Sequence, residues 1–373
     1  MRQSTRRAGR ERTGRRQERH SAAPVYAAVD LGTNNCRMLA ARPAGSQLRI
    51  VDSFSRIVRL GEGASLSGVL DEAAIKRTIG ALRICAGKIH RLGVKRVRNI
   101  ATQACRAATN GANFLDRVKA ETGLELETIS ADEEARLTVS GCVPLFDTER
   151  RFVLMFDIGG GSTEVTWIEQ PGGDRPRILG TRSIAIGVMA IGVMAIADQF
   201  GTGILPPEAV AEIGNNVDAK LADLDGTHGI SEHIAAGQVQ LLGTSGTVTT
   251  LVLGTSGTVT TLGGIHLGLR RYDRSKVDSI EIPFSAINEI TERLGNLSET
   301  ERAKIPCVGP QRADLMIAGC TLLQTVCTRW NVGRLTVADR GIREGLLFEM
   351  MAADGLMPKT EQIPSFDLGT ILP

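Results

Sequence analysis

Two segments of this sequence place an acidic residue, a glycine and then hydroxyl or amide side chains directly after a short apolar run. The first is Asp30-Leu31-Gly32-Thr33-Asn34-Asn35. The second is Asp157-Ile158-Gly159-Gly160-Gly161-Ser162-Thr163-Glu164. In such a turn, successive backbone N–H groups line a concavity that holds phosphate oxygens. Gly32 lets the chain turn closely, and Thr33 and Asn34 add side-chain donors. Three consecutive glycines weaken the strand they follow, and close approach of the backbone to an anion would offset that. Asp157 stands where a carboxylate can hold Mg²⁺, directly or through water, and Ser162 and Thr163 add hydroxyls. Either segment alone also reads as an ordinary hairpin turn. The pair together reads as an anion site.

Two further segments fit the same chemistry. Gly-Thr-Ser-Gly-Thr occurs at 243–247 and again at 254–258, where it comprises Gly254, Thr255, Ser256 and Gly257 before Thr258. It follows an apolar strand and precedes a threonine-rich helix start, a position that favours anions. It is not a nucleophile elbow, because G-x-S-x-G needs glycine two residues after the serine and threonine stands there. The segment Ser130-Ala131-Asp132-Glu133-Glu134-Ala135-Arg136-Leu137 opens a helix with three acidic residues. That is favourable electrostatics at any helix start. Beside two phosphate loops, one of these carboxylates becomes a candidate base for a hydrolytic water.

The elements that must position these residues follow from the apolar pattern. Residues 25–29 and 37–41 read as the two strands flanking the first turn, and residues 152–156 and 164–168 as those flanking the second. Residues 71–92 have helical spacing. Residues 94–101 and 126–130 read as strands, 113–122 and 132–143 as helices. Strands alternating with helices give an α/β class, and the repeated strand–turn–strand device marks two related lobes that divide near residues 144–151. Two tandem duplications interrupt the pattern. IGVMA at 186–190 recurs at 191–195, and LGTSGTVTTL at 242–251 recurs at 253–262. An insertion of five residues rotates the downstream face of a helix by about 140°, and an odd insertion exchanges the faces of a strand. One copy of each is therefore expected to loop out or to be absorbed at an element's end.

Composition narrows the classes. The chain has 373 residues and a net charge of +3, but residues 1–20 hold eight Arg and two Glu, so the remainder carries −3. The basic stretch lacks apolar periodicity and is expected to be a disordered tail. Seven cysteines without a C-x-x-C spacing point to neither a zinc site nor a disulfide framework, and to a cytoplasmic setting. Aromatic residues make up 3%, which argues against base stacking and sequence-specific nucleic-acid binding. No apolar run is long enough to span a membrane. The chain contains no G-x-x-x-x-G-K-[ST], no G-x-G-x-x-G and no H-E-x-x-H, which sets aside P-loop, dinucleotide-binding and zincin chemistry.

These segments in this order resemble the exopolyphosphatase / guanosine pentaphosphate phosphatase family (Ppx/GppA), over about residues 25–350. Ala101–Arg106 with Asn110, Pro310–Asp314 and Val337–Gly345 add to the resemblance. It implies a two-lobed actin-like (ASKHA, ribonuclease H-like) α/β fold with the active site in the cleft between lobes. The lobes would span 25–147 and 148–339, with a helix at about 340–353 packing back on the first lobe, a tail at 1–24 and an extension at 354–373. Asp30–Asn34 and Gly159–Thr163 would be the phosphate loops, and Asp157, with Asp30, the carboxylates associated with Mg²⁺. Glu134 would be the catalytic base, with Glu133 as the neighbouring alternative. Glu164 would orient water or metal, and Arg106 and Arg312 would contact the substrate chain. The substrate would be polyphosphate or guanosine pentaphosphate, and homodimers are common in the family. Phosphate transfer to an acceptor, or nucleotide binding without catalysis, are the alternatives on the same fold. Asn35 departs from the family's usual Ser. The duplicated GTSGTVTTL departs from its single copy, and the second copy is expected to occupy the site, with residues 248–253 of the first forming an extra strand.

Overall fold

The computed structural model describes residues 23–160, 162–170, 176–186, 189–190, 196, 199–200, 205–244, 257–310 and 312–357. The arginine-rich stretch 1–20, Gly161, the second IGVMA copy and Gly254, Thr255 and Ser256 lie outside these residues, as do the strand expected at 248–253 and residues 358–373.

The first hairpin is β1 (Tyr26–Leu31) and β2 (Asn35–Ala44), continued by β3 (Gln47–Ile57). Helix α1 (Glu72–Leu92) then crosses to β4 (Arg96–Ala101), and α2 (Gly111–Thr122) crosses to the two-residue β5 (Glu127–Thr128). Asp71 caps α1 by accepting from the N–H groups of Ala73 and Ala74, and Gly93 ends it at φ 57°, a left-handed conformation that glycine adopts without strain. The sheet order is β3-β2-β1-β4-β5, antiparallel through β1–β3 and parallel from β1 to β5.

The second lobe repeats this plan. After α3 (Ala131–Cys142), the meander β6 (Phe152–Ile158), β7 (Thr163–Glu169) and β8 (Arg177–Ile186) is followed by a two-residue β9 (Met189–Ala190). Helix α4 (Pro207–His228) leads to β10 (Val239–Thr244), and α5 (Thr258–His266) follows it. A short β11 (Glu281–Pro283), α6 (Phe284–Gly295), α7 (Met316–Arg329), β12 (Arg334–Ala338) and α8 (Ile342–Ala353) complete the described chain. Its sheet runs β11-β12-β10-β6-β7-β8-β9. Without the edge strands β11 and β9, the order matches that of the first sheet strand for strand. The two lobes are thus one topology used twice, the two-lobed actin-like α/β arrangement that the resemblance implies.

Some expected boundaries shift. The strand expected at 126–130 shrinks to two residues, because the chain turns at Ser130, whose hydroxyl caps α3 through the Glu133 N–H. The half-exposed β3, an edge strand without a clean apolar face, had no sequence signal. The first IGVMA copy is absorbed at the end of β8 and in β9, whose backbone pairs with it antiparallel.

Side chains of β1 alternate between two cores. Val25, Ala27 and Val29 pack with Ile75, Ile79 and Leu82 of α1 and Phe114 of α2, whereas Tyr26 and Ala28 pack with Leu346, Leu347 and Met351 of α8. This is the period of two expected of a strand buried on both faces. Helix α3 divides in the same way. Leu137 joins the first-lobe core, and Val139 and Cys142 join Val153, Met155 and Leu242 of the second.

The two helices α3 and α8 cross at backbone contact. A Cβ added at Gly141 would lie 2.0 Å from the carbonyl oxygen of Gly341, and one at Gly345 would lie 2.0 Å from that of Leu137. An unobstructed helix glycine gains about 1 kcal/mol on replacement by alanine. Here overpacking, at about 1–3 kcal/mol, reverses the sign. Gly345→Ala therefore lowers the urea midpoint and the melting temperature, and a variant more stable than the parent would contradict the crossing.

Candidate active site

The two glycine turns have the same local geometry. In the first, the Gly32 N–H bonds Asn35 O at 2.9 Å, and in the second the Gly159 N–H bonds Ser162 O at 2.9 Å. Each stands two residues after its aspartate. The first turn is braced from outside: the N–H groups of Val58 and Arg59 bond Asn34 O, and that of Gly61 bonds Thr33 O. The turns meet across the space between the sheets. A Cβ on Gly160 would lie 2.8 Å from Asn34 Cβ and 3.1 Å from Asn34 N, so this approach requires glycine.

The cleft so formed is lined by Asp30, Gly32, Thr33 and Asn34 from the first turn and by Asp157, Gly159, Gly160 and Ser162 from the second. Glu134, Gly257 and Arg312 line it as well. Thr163 does not. It is buried on β7, paired with Ile158 and Ile184. Thr244, from the first GTSGT copy, and Gly257 and Thr258, from the second, both line the cleft. The threonine-rich helix start follows the second copy, with α5 beginning at Thr258 directly after Gly257 and ending at His266 before the left-handed Gly268.

Position in the first turn of α3 separates the two glutamates. Glu133 faces outward, between Arg136 at 2.7 Å and Arg98 at 3.4 Å. Glu134 faces the cleft and receives Arg106 Nη1 at 3.1 Å. Arg106 is thereby paired with a carboxylate that lines the cleft. Its guanidinium also donates to Ile129 O and to Gln103 Oε1, and it is not among the residues lining the cleft. Its three contacts fix the guanidinium beside Glu134. Glu164 accepts from the Ser183 hydroxyl at 3.2 Å and stands behind the cleft, where it shares a small cavity with Glu134 and Asp157.

The residues opposite the two aspartates differ in charge. Asp30 faces Arg37 in the β1–β2 register, with Nη1 3.8 Å from Oδ2. Asp157 faces Glu164 in the β6–β7 register. Burial, with the like charge of Glu164 added, pushes Asp157 up to about 7. Burial and then Glu164 also hold Glu134 well above the usual carboxylate range, against the pull of Arg106. Both carboxyls are therefore poised for proton or cation exchange.

Cations gather in the same cleft. Arg37, Arg312, Arg340 and Arg343 all line the cleft. Arg37 is buried, and burial pushes it down to about 10. Burial, followed by the like charge of Arg37, pushes Arg312 down to about 9. Arg37 Nε and Arg343 Nη1 are buried without a partner among the described residues. The N-termini of three helices open on the same space, at Gly257–Thr258, Leu315–Met316 and Gly341–Arg343. Crowded guanidiniums and converging helix N-termini together call for a multiply charged anion. Arg37, Thr244 and Arg343 were missed from sequence. The available signal was an arginine at the strand position facing Asp30 in a short hairpin.

The donor set accommodates a divalent cation. Asp157 Oδ1 is buried and unpartnered on the cleft wall. No group of three or more His, Cys, Asp or Glu side chains among the described residues is arranged to hold a metal. One or two carboxylates completed by substrate oxygens and water is the pattern that suits Mg²⁺ better than a protein cage.

No helix among the described residues is long and apolar enough to cross a membrane. Residues 39–354 match the Ppx/GppA phosphatase family. A guanosine-5'-triphosphate,3'-diphosphate pyrophosphatase from Photobacterium profundum is 29% identical over 336 residues, which cover 90% of this chain and 61% of the relative. The chain thus spans about three-fifths of that protein's length. A Haemophilus influenzae protein provisionally named as an exopolyphosphatase is 25% identical, over 87% of this chain and 90% of its own. The structure of an exopolyphosphatase from Cytophaga hutchinsonii superposes with a TM-score of 0.74 at 23% identity, covering 88% of this chain and 98% of that one, and shows the shared fold. The match over most of the chain, on a cleft built from two facing glycine turns, makes this protein a member of the Ppx/GppA phosphatase family.

Proposed function

We propose that the protein hydrolyses terminal phosphoanhydride bonds, releasing inorganic phosphate from polyphosphate or guanosine pentaphosphate. The observation that carries this reading is the position of Glu134, a half-buried carboxylate on the wall of a cleft whose other surfaces present arginines, helix N-termini and two glycine turns. The anion-binding surfaces account for a phosphate end group, and Glu134 accounts for a proton acceptor beside it.

In this reading the terminal phosphate lies between the turns, with its oxygens on backbone N–H groups and on Arg37 and Arg312. Water attacks the terminal phosphorus in line with the bridging oxygen. The P–O bond to that oxygen breaks, and the chain leaves one phosphate shorter with its electron pair on oxygen. Glu134 takes the proton from water, and Arg106 keeps its carboxylate oriented. The loop amides and guanidiniums stabilise the charge spread over the transferring group. Asp157, with Asp30 nearby, would hold Mg²⁺, which when bound neutralises charge on the phosphate oxygens. The cysteines are free thiols, compatible with a reducing cytoplasmic setting.

Three outcomes test this. Glu134→Gln lowers kcat for phosphate release by at least about 100-fold, the scale of a lost general base, and leaves substrate binding intact; turnover within a few-fold of the parent removes Glu134 from the reaction. Chelation abolishes release and added Mg²⁺ restores it, whereas Asp157→Asn raises the Mg²⁺ concentration needed for half-maximal rate. The pH profile follows from the like-charge contact. Glu164 raises the Glu134 carboxyl, and the base works only when ionised, so activity falls on the acid side. Glu164→Gln removes that repulsion, and the acid limb of kcat/KM moves to lower pH. A limb that stays in place or moves upward contradicts the coupling.

A further inference from the structure

Arg340 lines the active-site cleft on one side and a second, open cleft on the other, so the two share a wall. The second cleft is formed by the loop after α5, from Leu269 to Ser279. Its charges are unequal. Arg270, Arg271, Arg274, Lys276 and Arg340 face two carboxylates, Asp273 and Asp278.

Both carboxylates are already committed. Asp273 accepts from the Ser275 N–H at 3.1 Å and from its hydroxyl at 2.7 Å, capping a one-turn helix, and stands 3.9 Å from Lys276. Asp278 accepts from the Asp339 N–H at 2.9 Å and from Arg340 Nε at 2.7 Å. Arg274 turns inward, 2.7 Å from Glu344. Arg270 and Arg271 remain exposed, with no ion pair among the described residues. Two exposed guanidiniums thus line the same cleft as Arg340, which also lines the reaction cleft.

Resting on the reading above, we propose that this second cleft binds the trailing phosphates of a linear polyphosphate whose terminal unit sits between the glycine turns. An enzyme that cleaves only at the end must let the rest of the chain leave the cleft, and every unit of that chain carries negative charge. A path with net positive charge lowers the cost of that exit. The cleft offers little to a guanine base. Its aromatic residue, Tyr272, is half-buried with its hydroxyl donated to Asp339 at 2.5 Å. The surface therefore selects a phosphate chain by charge and length.

The test is phosphate release by the full chain with Mg²⁺, using tripolyphosphate, long-chain polyphosphate and guanosine pentaphosphate. The parent is compared with Arg270→Glu/Arg271→Glu and with Lys220→Glu, an exposed charge reversal on α4 in the second lobe. The double variant raises KM for long-chain polyphosphate by roughly ten-fold, as loss of charge-assisted phosphate contacts implies, with kcat within about two-fold. KM for tripolyphosphate and guanosine pentaphosphate stays put. The salt dependence of the long-chain KM becomes shallower, because fewer counterions are exchanged. Lys220→Glu reproduces none of this. An unchanged long-chain KM, an equal shift on tripolyphosphate or with Lys220→Glu, or a shift confined to guanosine pentaphosphate overturns the proposal. Absence of phosphate release from every substrate by the parent would sink the hydrolase reading instead. In that case filter binding of long-chain polyphosphate decides the cleft separately: equal retention by the parent and the double variant refutes it.

Discussion

The distance between the two lobes is set where α3 and α8 touch without side chains. Gly141 and Gly345 bring the backbone of each helix against the other, and any Cβ there would overlap a carbonyl oxygen. Those helices present their first turns to the cleft. Glu134 opens α3, and Gly341–Arg343 open α8. Close crossing therefore sets how far a carboxylate from one element lies from the N–H groups and guanidiniums of another. A second side-chain-free contact, Gly160 on Asn34, does the same for the two turns. Both contacts exchange the conformational cost of glycine for a cleft narrow enough to surround a small anion.

Charge follows from this spacing. Packing of the two lobes buries Arg37 near Arg312, and the β6–β7 pairing buries Asp157 opposite Glu164. Each pair is unfavourable alone, and burial makes it more so. The guanidiniums need an anion and the carboxylates need a cation or a proton. A phosphate group with a divalent cation would satisfy both together. The surface charges behave otherwise. Glu133, Arg98, Arg136 and Glu349 form a partly exposed network of the sort that contributes little energy, and it keeps Glu133 away from the chemistry.

The two turns were legible because all that specifies them is local: an apolar strand, an aspartate, a glycine two residues on, and polar side chains. The same holds for α1, with its Asp71 cap and apolar stripe, and for the acidic start of α3. Residues whose place depends on register or crossover were not legible. Arg37 reaches the cleft by standing opposite Asp30, and Arg343 by the return of α8 from the far end of the chain. The strand β3 has no local signature because an edge strand needs no apolar face. The pairing of Arg106 with Glu134, from the short helix Gln103–Ala107, likewise depends on how that helix packs against the start of α3.

The sequence by itself determined the local bends, since a turn of three or four residues is governed by steric limits on its own backbone. It also determined the supply of phosphate-binding groups and the doubling of one strand–turn–strand plan. Which carboxylate faces the cleft was a tertiary decision, as was which guanidiniums converge on it and how the duplicated GTSGT segments divide between a strand end and a helix start. Burial and charge proximity are properties of packed pairs, and members of those pairs, such as Arg37 and Arg312, lie hundreds of residues apart until the lobes close on each other.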